Sequence, residues 1–165
     1  MTVRRTLADI AITLLVLLLQ TTLGRYLAVA GLPPDIAMIW IVTLALRRGQ
    51  LAATVAGFGT GLMLDLLSGA DGMLGLSALA ATCGGFMAGY FYNENKTLQT
   101  LGSYRYILII LSVALVHNLI YFIIFLQGSG VHWWQAIFLY GVPAAAYTAA
   151  VGLLPMFIYA RRLLQ

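Results

Sequence analysis

An all-α membrane domain of six transmembrane helices is the fold class this sequence predicts, and three observations predict it. Of 165 residues, 62% are hydrophobic and only 8% are charged, whereas a soluble domain covers itself with roughly a quarter of its residues charged. Apolar stretches recur along the whole chain and leave no room for a separate soluble domain, so residues 1–165 read as one unit. The basic residues fall on one side: Arg4, Arg5, Arg47, Arg48, Lys96, Arg105, Arg161 and Arg162 lie on one face of a six-span arrangement, with only Arg25 opposite. A positive-inside bias of this strength places both termini in the cytoplasm.

Taken in order, the apolar runs cover 7–24, 33–46, 51–68, 73–92, 106–126 and 136–159. The first begins after a basic segment and is followed by Ala28-Val29-Ala30, which resembles a signal-peptide cleavage site. The run is long enough to span, and Arg25 separates it from that tripeptide, so it reads as a retained helix. The second is short. Between Pro33-Pro34-Asp35 and Arg47 only the eleven residues "IAMIWIVTLAL" remain. They rise about 16 Å against a hydrocarbon core of about 30 Å. Pro34 suits a first helical turn, so the helix starts below the outer surface on an irregular "GLPP" segment. Such backbone survives at that depth only against protein or beside a wet cavity.

"RRGQ" turns the chain tightly into the third run, and the fourth follows "SGADG". "NENKTLQTLGSYR", 93–105, is the only long polar interruption. In the sixth run Pro143 and Pro155 mark kinks. Tyr26, Trp133 and Trp134 fall at the outer interface and Tyr92, Tyr104, Tyr106 and Tyr159 at the inner one, as aromatic belts require.

Polar residues inside the runs share a depth. From the "RRGQ" turn, Asp35 lies about 16 Å up the second helix and Asp65 about 21 Å up the third. Gln20, Thr21, His117 and Asn118 reach similar heights on the first and fifth, and Tyr121 is one turn beyond His117. Intramembrane ionisable groups are functional candidates by default. A second reading stands beside that one: Asp35 caps its own helix, Asp65 accepts hydrogen bonds from a nearby loop, and His117 and Asn118 tie helices together. Asp9 reads as interfacial, and Arg25 either pairs with Asp35 or Asp71 or faces water.

Small residues form stripes: Ala53, Gly57, Gly61 and Asp65 on the third run, Ser77, Ala81, Gly85 and Gly89 on the fourth, and Gly141, Ala145, Thr148 and Gly152 on the last. Stripes of this kind let helices approach closely in lipid, either within the chain or against a partner. The partner-or-packing candidates are therefore Ala53, Gly57, Gly61, Gly85 and Gly89, and the buried polar layer is Gln20, Asp35, Asp65, His117 and Asn118.

Enzyme signatures are missing. There is no P-loop, no His-Glu-x-x-His and no Gly-x-Ser-x-Gly. "GFGTG" lies within a helical run rather than after a strand, and Asp35 and Asp65 lack the Tyr-Asp and Gly-x-Gly-Asp contexts of intramembrane aspartyl proteases. The single Cys83 excludes a disulfide within the chain, and no Cys/His cluster points to a metal. The cations form topology signals rather than a nucleic-acid patch. No catalytic residue, cofactor or nucleic acid is expected; membrane lipids are.

"LQTTL" closing the first run, "PPDIAMIWIV" opening the second and "ALRRGQLAATVAGFGTGLMLDLLSGADGMLGLSALA" across the third resemble MreD, the bacterial rod shape-determining membrane protein. The resemblance is densest over 18–92 and rests on Pro34-Asp35, Arg47-Arg48-Gly49 and Gly61-Leu-x-x-Asp65-Leu-x-Ser-Gly69 in that order. It implies a non-enzymatic plasma-membrane subunit of the machinery for lateral cell-wall synthesis. Its fold would be similar to the substrate-binding subunits of energy-coupling-factor vitamin transporters. Its partner would be the bitopic protein MreC, whose ectodomain acts on a RodA–penicillin-binding-protein synthase, with MreB filaments on the cytoplasmic side. The competing expectation is a small-molecule carrier subunit of the same fold, although "ITLLVLLLQ" lacks the Ala-x-x-x-Ala docking stripe such carriers show.

Overall fold

The computed structural model describes residues 2–24, 26–67, 73–127, 130 and 132–163. Every apolar run contains a helix: α1 Thr2–Leu23, α2 Ile36–Arg48, α3 Gln50–Leu67, α4 Leu76–Gly89, α6 Tyr104–Phe125 and a continuous helical stretch Trp133–Leu163. α5, Thr97–Leu101, lies between α4 and α6. The last stretch comprises α7 Trp133–Gln135, a π-helical turn Ala136–Gly141, α8 Val142–Val151 and α9 Leu153–Leu163. Among the described residues the secondary structure is helical apart from turns and one isolated bridge, Val29 with Leu32. Four helices are long and apolar enough to cross a membrane: α1, α3, α6 and the last stretch.

A short apolar helix, α2, lies at the centre of the core. α2 is apolar all round, and ten of its thirteen residues, Ala37 through Leu46, are buried. A helix with no polar face needs neighbours on every side, and α2 packs against α1, α3, α4, α6 and α8. Its ends are set locally. The Asp35 side chain accepts the Met38 N–H at 2.8 Å, and Gly49, at φ +87°, returns its N–H to the Ala45 carbonyl at 2.8 Å before α3 begins one residue later. That left-handed φ favours glycine. α1 is also apolar all round, yet it is mostly exposed, the condition of a helix solvated by lipid.

The small-residue stripes of α3 and α4 are spent on each other. A methyl group at Gly57 would land on the Ala81 carbonyl, one at Gly61 on Ser77 and Ala78, one at Gly85 on the Ala53 carbonyl, and one at Gly89 on Gln50. The two helices thus meet backbone to backbone, antiparallel, along their length. Gly152, from the third stripe, sits against Ile107 and Ile110 of α6, and Ala145 and Thr148 are buried.

One expected helix is shorter than its apolar run, and two segments between the helices have structure of their own. The fourth run, expected over 73–92, is helical only over Leu76–Gly89. Gly75, at φ +97°, breaks it at one end, and Tyr90 closes the other by donating to the Met87 carbonyl. The polar interruption 93–105 is not all irregular: α5 forms within it, Leu101 is fully buried, and the Thr97 hydroxyl donates to the Leu46 carbonyl at 3.1 Å. Ala28-Val29-Ala30 belongs to a tight hairpin in which Val29 and Leu32 exchange backbone hydrogen bonds around Ala30 and Gly31, both at positive φ.

These contacts also gather charge at one end. Arg48 pairs with Asp9 near the start of α1, α5 lies against the end of α2, and Gly102 packs on Ala160 and Leu163 of α9. The first turns of α1, the last turns of α9 and the basic residues on them share this arginine end. The hairpin of residues 26–35 lies at the other.

Candidate functional site

At the end opposite the arginines, the C-termini of α1, α3 and α6 meet the N-termini of α2 and α4 around an open cavity of about 620 Å³. Of the five residues expected in a buried polar layer, Gln20, Asp35, His117 and Asn118 line it; Asp65 does not.

Gln20 bridges α1 to the start of α2: its Nε2 donates to the Pro34 carbonyl at 3.2 Å, and its Oε1 accepts the Ile36 N–H at 2.8 Å. Pro34 closes the irregular "GLPP" segment and Ile36 opens α2, so the amide clamps the junction between them. Asp35 caps α2 through Oδ1, and its Oδ2 lies 3.3 Å from His117 Nδ1. The same nitrogen is 3.3 Å from Asn118 Oδ1. Both neighbours of Nδ1 are acceptors, which assigns it the proton. Asn118 Nδ2 then donates to the Gly141 carbonyl at 3.1 Å, where the π-helical turn ends. This is the helix-tying reading for Asn118 and the capping reading for Asp35.

Asp65 serves elsewhere. It is 3% exposed, and both of its oxygens accept: Oδ2 from the N–H groups of Gly75 at 2.9 Å and Ala78 at 3.2 Å, Oδ1 from Ser77 at 3.1 Å. α4 begins at a glycine, which offers no capping side chain, so the carboxylate on α3 supplies the oxygen instead. Asp35 and Asp65 lie at the same end of the bundle, but they complete different helices. Asp9 sits at the arginine end, 2.7 Å from Arg48. The possible partners Arg25 and Asp71 lie outside the described residues.

Three roles at the site are not read from the sequence, although its spacing places Tyr121 one turn beyond His117. Thr148, expected only as a small stripe residue, accepts the Asp35 N–H at 3.0 Å. Tyr121 stacks between His117 and Phe125 and makes an aromatic wall, with centroids 6.3 Å and 5.5 Å away. Thr60 is 1% exposed and lines the cavity, yet its hydroxyl has no partner among the described residues. Thr43, Thr54 and Thr82 bond back to the carbonyl four residues earlier. A buried hydroxyl left unmet costs about 1–3 kcal/mol. Nothing in the spacing marks Thr60, because its environment is set by which face of α3 the glycines turn toward α4.

The cavity therefore offers one carboxylate already engaged by His117, one unmet hydroxyl and an aromatic wall. Among the described residues, no three His, Cys, Asp or Glu side chains gather as a metal site would require. In comparisons with family models, curated proteins and solved structures, the chain matches none.

Proposed function

We propose that this protein is a non-enzymatic subunit of a bacterial rod-shape (elongation) complex, of the MreD kind, which binds MreC in the plasma membrane. Through it the protein supports lateral peptidoglycan synthesis by a RodA–penicillin-binding-protein synthase, with MreB filaments beneath. The observation that carries this reading is the ordered motif string, densest within 18–92 and continued more loosely along the chain by its length, six apolar runs and arginine-bearing C-terminus. Several of its described residues set the helix ends and contacts of this bundle. Asp35 starts α2, Gly49 turns α2 into α3, Gly61 seats α4, and Asp65 caps it. In this reading α2 and α4 complete a six-span body related to the vitamin-carrier fold, and the arginine end faces the cytoplasm.

The small-residue stripes are not the grip on MreC, because α3 and α4 occupy them mutually. The free space between helix ends is the cavity, which opens on the extracytoplasmic side in this orientation. A membrane-proximal segment of MreC seated there meets the Tyr121 wall. Co-purification tests this: MreC is retained by wild type and by Gly59→Ala, where a methyl group meets only open space. It is lost when the cavity is filled by Ala144→Phe in a chain that still folds. Retention by Ala144→Phe refutes the seat. Normal cell shape on depletion refutes the function.

The cavity's volume favours one competing reading, since small-molecule sites occupy about 300–1,000 Å³. A vitamin-type carrier would show a stoichiometric ligand in native mass spectra and cause auxotrophy, not rounding, when depleted.

A further inference from the structure

The arginine end holds a second concavity, of about 340 Å³, between the first turns of α1 and the last turn of α2. Arg5, Ala8, Asp9 and Ile12 line it from one side, Arg47 and Arg48 from the other. Arg48 is consumed: its guanidinium lies 2.7 Å from the Asp9 carboxylate. Arg5 and Arg47 are exposed and have no carboxylate within pairing distance among the described residues. Three cations against one anion leave the cleft with an excess of two positive charges.

The cleft is held open rather than collapsed. One turn deeper, Trp40 Nε1 donates to the Thr13 hydroxyl at 2.9 Å, and that hydroxyl donates to the Asp9 carbonyl at 2.8 Å. With the Arg48–Asp9 pair, these bonds fix how far α1 stands from α2. The floor is apolar, Ala8 and Ile12, and it continues into the exposed Leu15 and Leu18 on the lipid-facing side of α1. A ligand for this place carries negative charge at the membrane surface and hydrocarbon below it.

We propose that the cleft binds the headgroup of an anionic glycerophospholipid. Its phosphate lies between the Arg5 and Arg47 guanidinium groups, and an acyl chain lies along Ile12 and Leu15. Guanidinium groups match phosphate oxygens in a bidentate manner, and basic pockets between membrane helices are a known type of lipid-headgroup site. A diphosphate lipid such as cardiolipin suits an excess of two charges better than phosphatidylglycerol. The bound lipid adds a bridge between α1 and α2 beside the Arg48–Asp9 pair and the Trp40–Thr13 bond. The site stands whether or not the protein belongs to a rod-shape complex; only its assignment to the cytoplasmic leaflet rests on that reading.

The test is native mass spectrometry and thermal unfolding of the full-length protein in detergent, titrated with cardiolipin, phosphatidylglycerol or phosphatidylcholine. Wild type retains cardiolipin and is stabilised in the order cardiolipin, phosphatidylglycerol, phosphatidylcholine. At about 1 kcal/mol per arginine, Arg5→Gln/Arg47→Gln weakens cardiolipin binding by roughly 25-fold. Arg5→Lys/Arg47→Lys weakens it less, and Arg161→Gln/Arg162→Gln, the same charge change elsewhere, leaves it unaltered. Equal stabilisation by phosphatidylcholine, or equal loss in the Arg161/Arg162 control, overturns the site. Displacement of the lipid by millimolar inorganic phosphate assigns the cleft to a free anion and overturns the lipid. Tighter binding of a poly-glutamate peptide than of cardiolipin assigns it to an acidic protein segment and overturns it equally.

Discussion

Replacing Asp65 by asparagine separates a structural carboxylate from a functional one. In the native protein its two oxygens receive three N–H groups from the start of α4. Asparagine has one acceptor oxygen and one amide nitrogen. With the oxygen in the Oδ2 position it keeps Gly75 and Ala78, but the amide then faces the Ser77 N–H, donor against donor. One buried donor goes unmet, at a cost of about 1–3 kcal/mol, and the two remaining bonds lose their carboxylate acceptor. Asp65→Ala strips all three, and the cost rises to roughly 3–5 kcal/mol, held below three full penalties because Ser77 borders the cavity and water can reach it. The assay is thermal unfolding in detergent with hydrogen exchange read at Gly75, Ser77 and Ala78. Asp65→Asn is expected to lower the midpoint by roughly 2–10 °C and to speed exchange at Ser77 first. A variant as stable as wild type, with unchanged exchange at α4, refutes the cap and returns Asp65 to the list of functional groups.

Two further outcomes follow from the same geometry. Gly57→Ala places a methyl group on the Ala81 carbonyl, and only separation of α3 from α4 relieves it, costing about 1–3 kcal/mol. Gly59→Ala, two residues away and facing open space, is neutral or stabilising by up to about 1 kcal/mol; equal destabilisation of both by thermal unfolding contradicts the backbone-to-backbone contact. Asp35→Ala and Asp65→Ala are expected to add to within about 0.5 kcal/mol in a double-mutant cycle, since no hydrogen bond joins them. Strong coupling reveals a shared proton or ion.

What the sequence made legible was whatever depends on one helix at a time. Apolar runs located the six helix-bearing segments, Pro33-Pro34-Asp35 announced the late start of α2, and the glycine periodicity announced close helix contact. Partner choice depends on rotation about each helix axis and was not legible. The stripe on α3 has the same spacing whether it meets α4 or a foreign helix. Thr60 is indistinguishable from Thr54 until the glycines fix which face turns inward. α5 hid because its five residues are too few for a periodic signal, and its burial comes from Leu101 alone. α4 was overextended because its start is set by Asp65, ten residues before the first N–H it receives.

The shared depth of Asp35 and Asp65 also has a cause that needs no shared chemistry. α2 and α4, with 13 and 14 residues, both run from the cavity end toward the arginine end. Each rises about 20 Å, roughly 10 Å less than a hydrocarbon core. On the six-span reading their N-termini fall inside the bilayer at one level, and the first N–H groups of a helix have no partner within it. In water they would be hydrated. At this depth each start needs an oxygen from the protein, and a carboxylate can serve several donors at once. Asp35 serves its own helix, and Asp65 serves the next one because α4 begins with glycine. The ring of chain ends that makes caps necessary is the same ring that leaves the cavity open between them. The polar layer marks where two helices stop short, and the cavity is the space they leave.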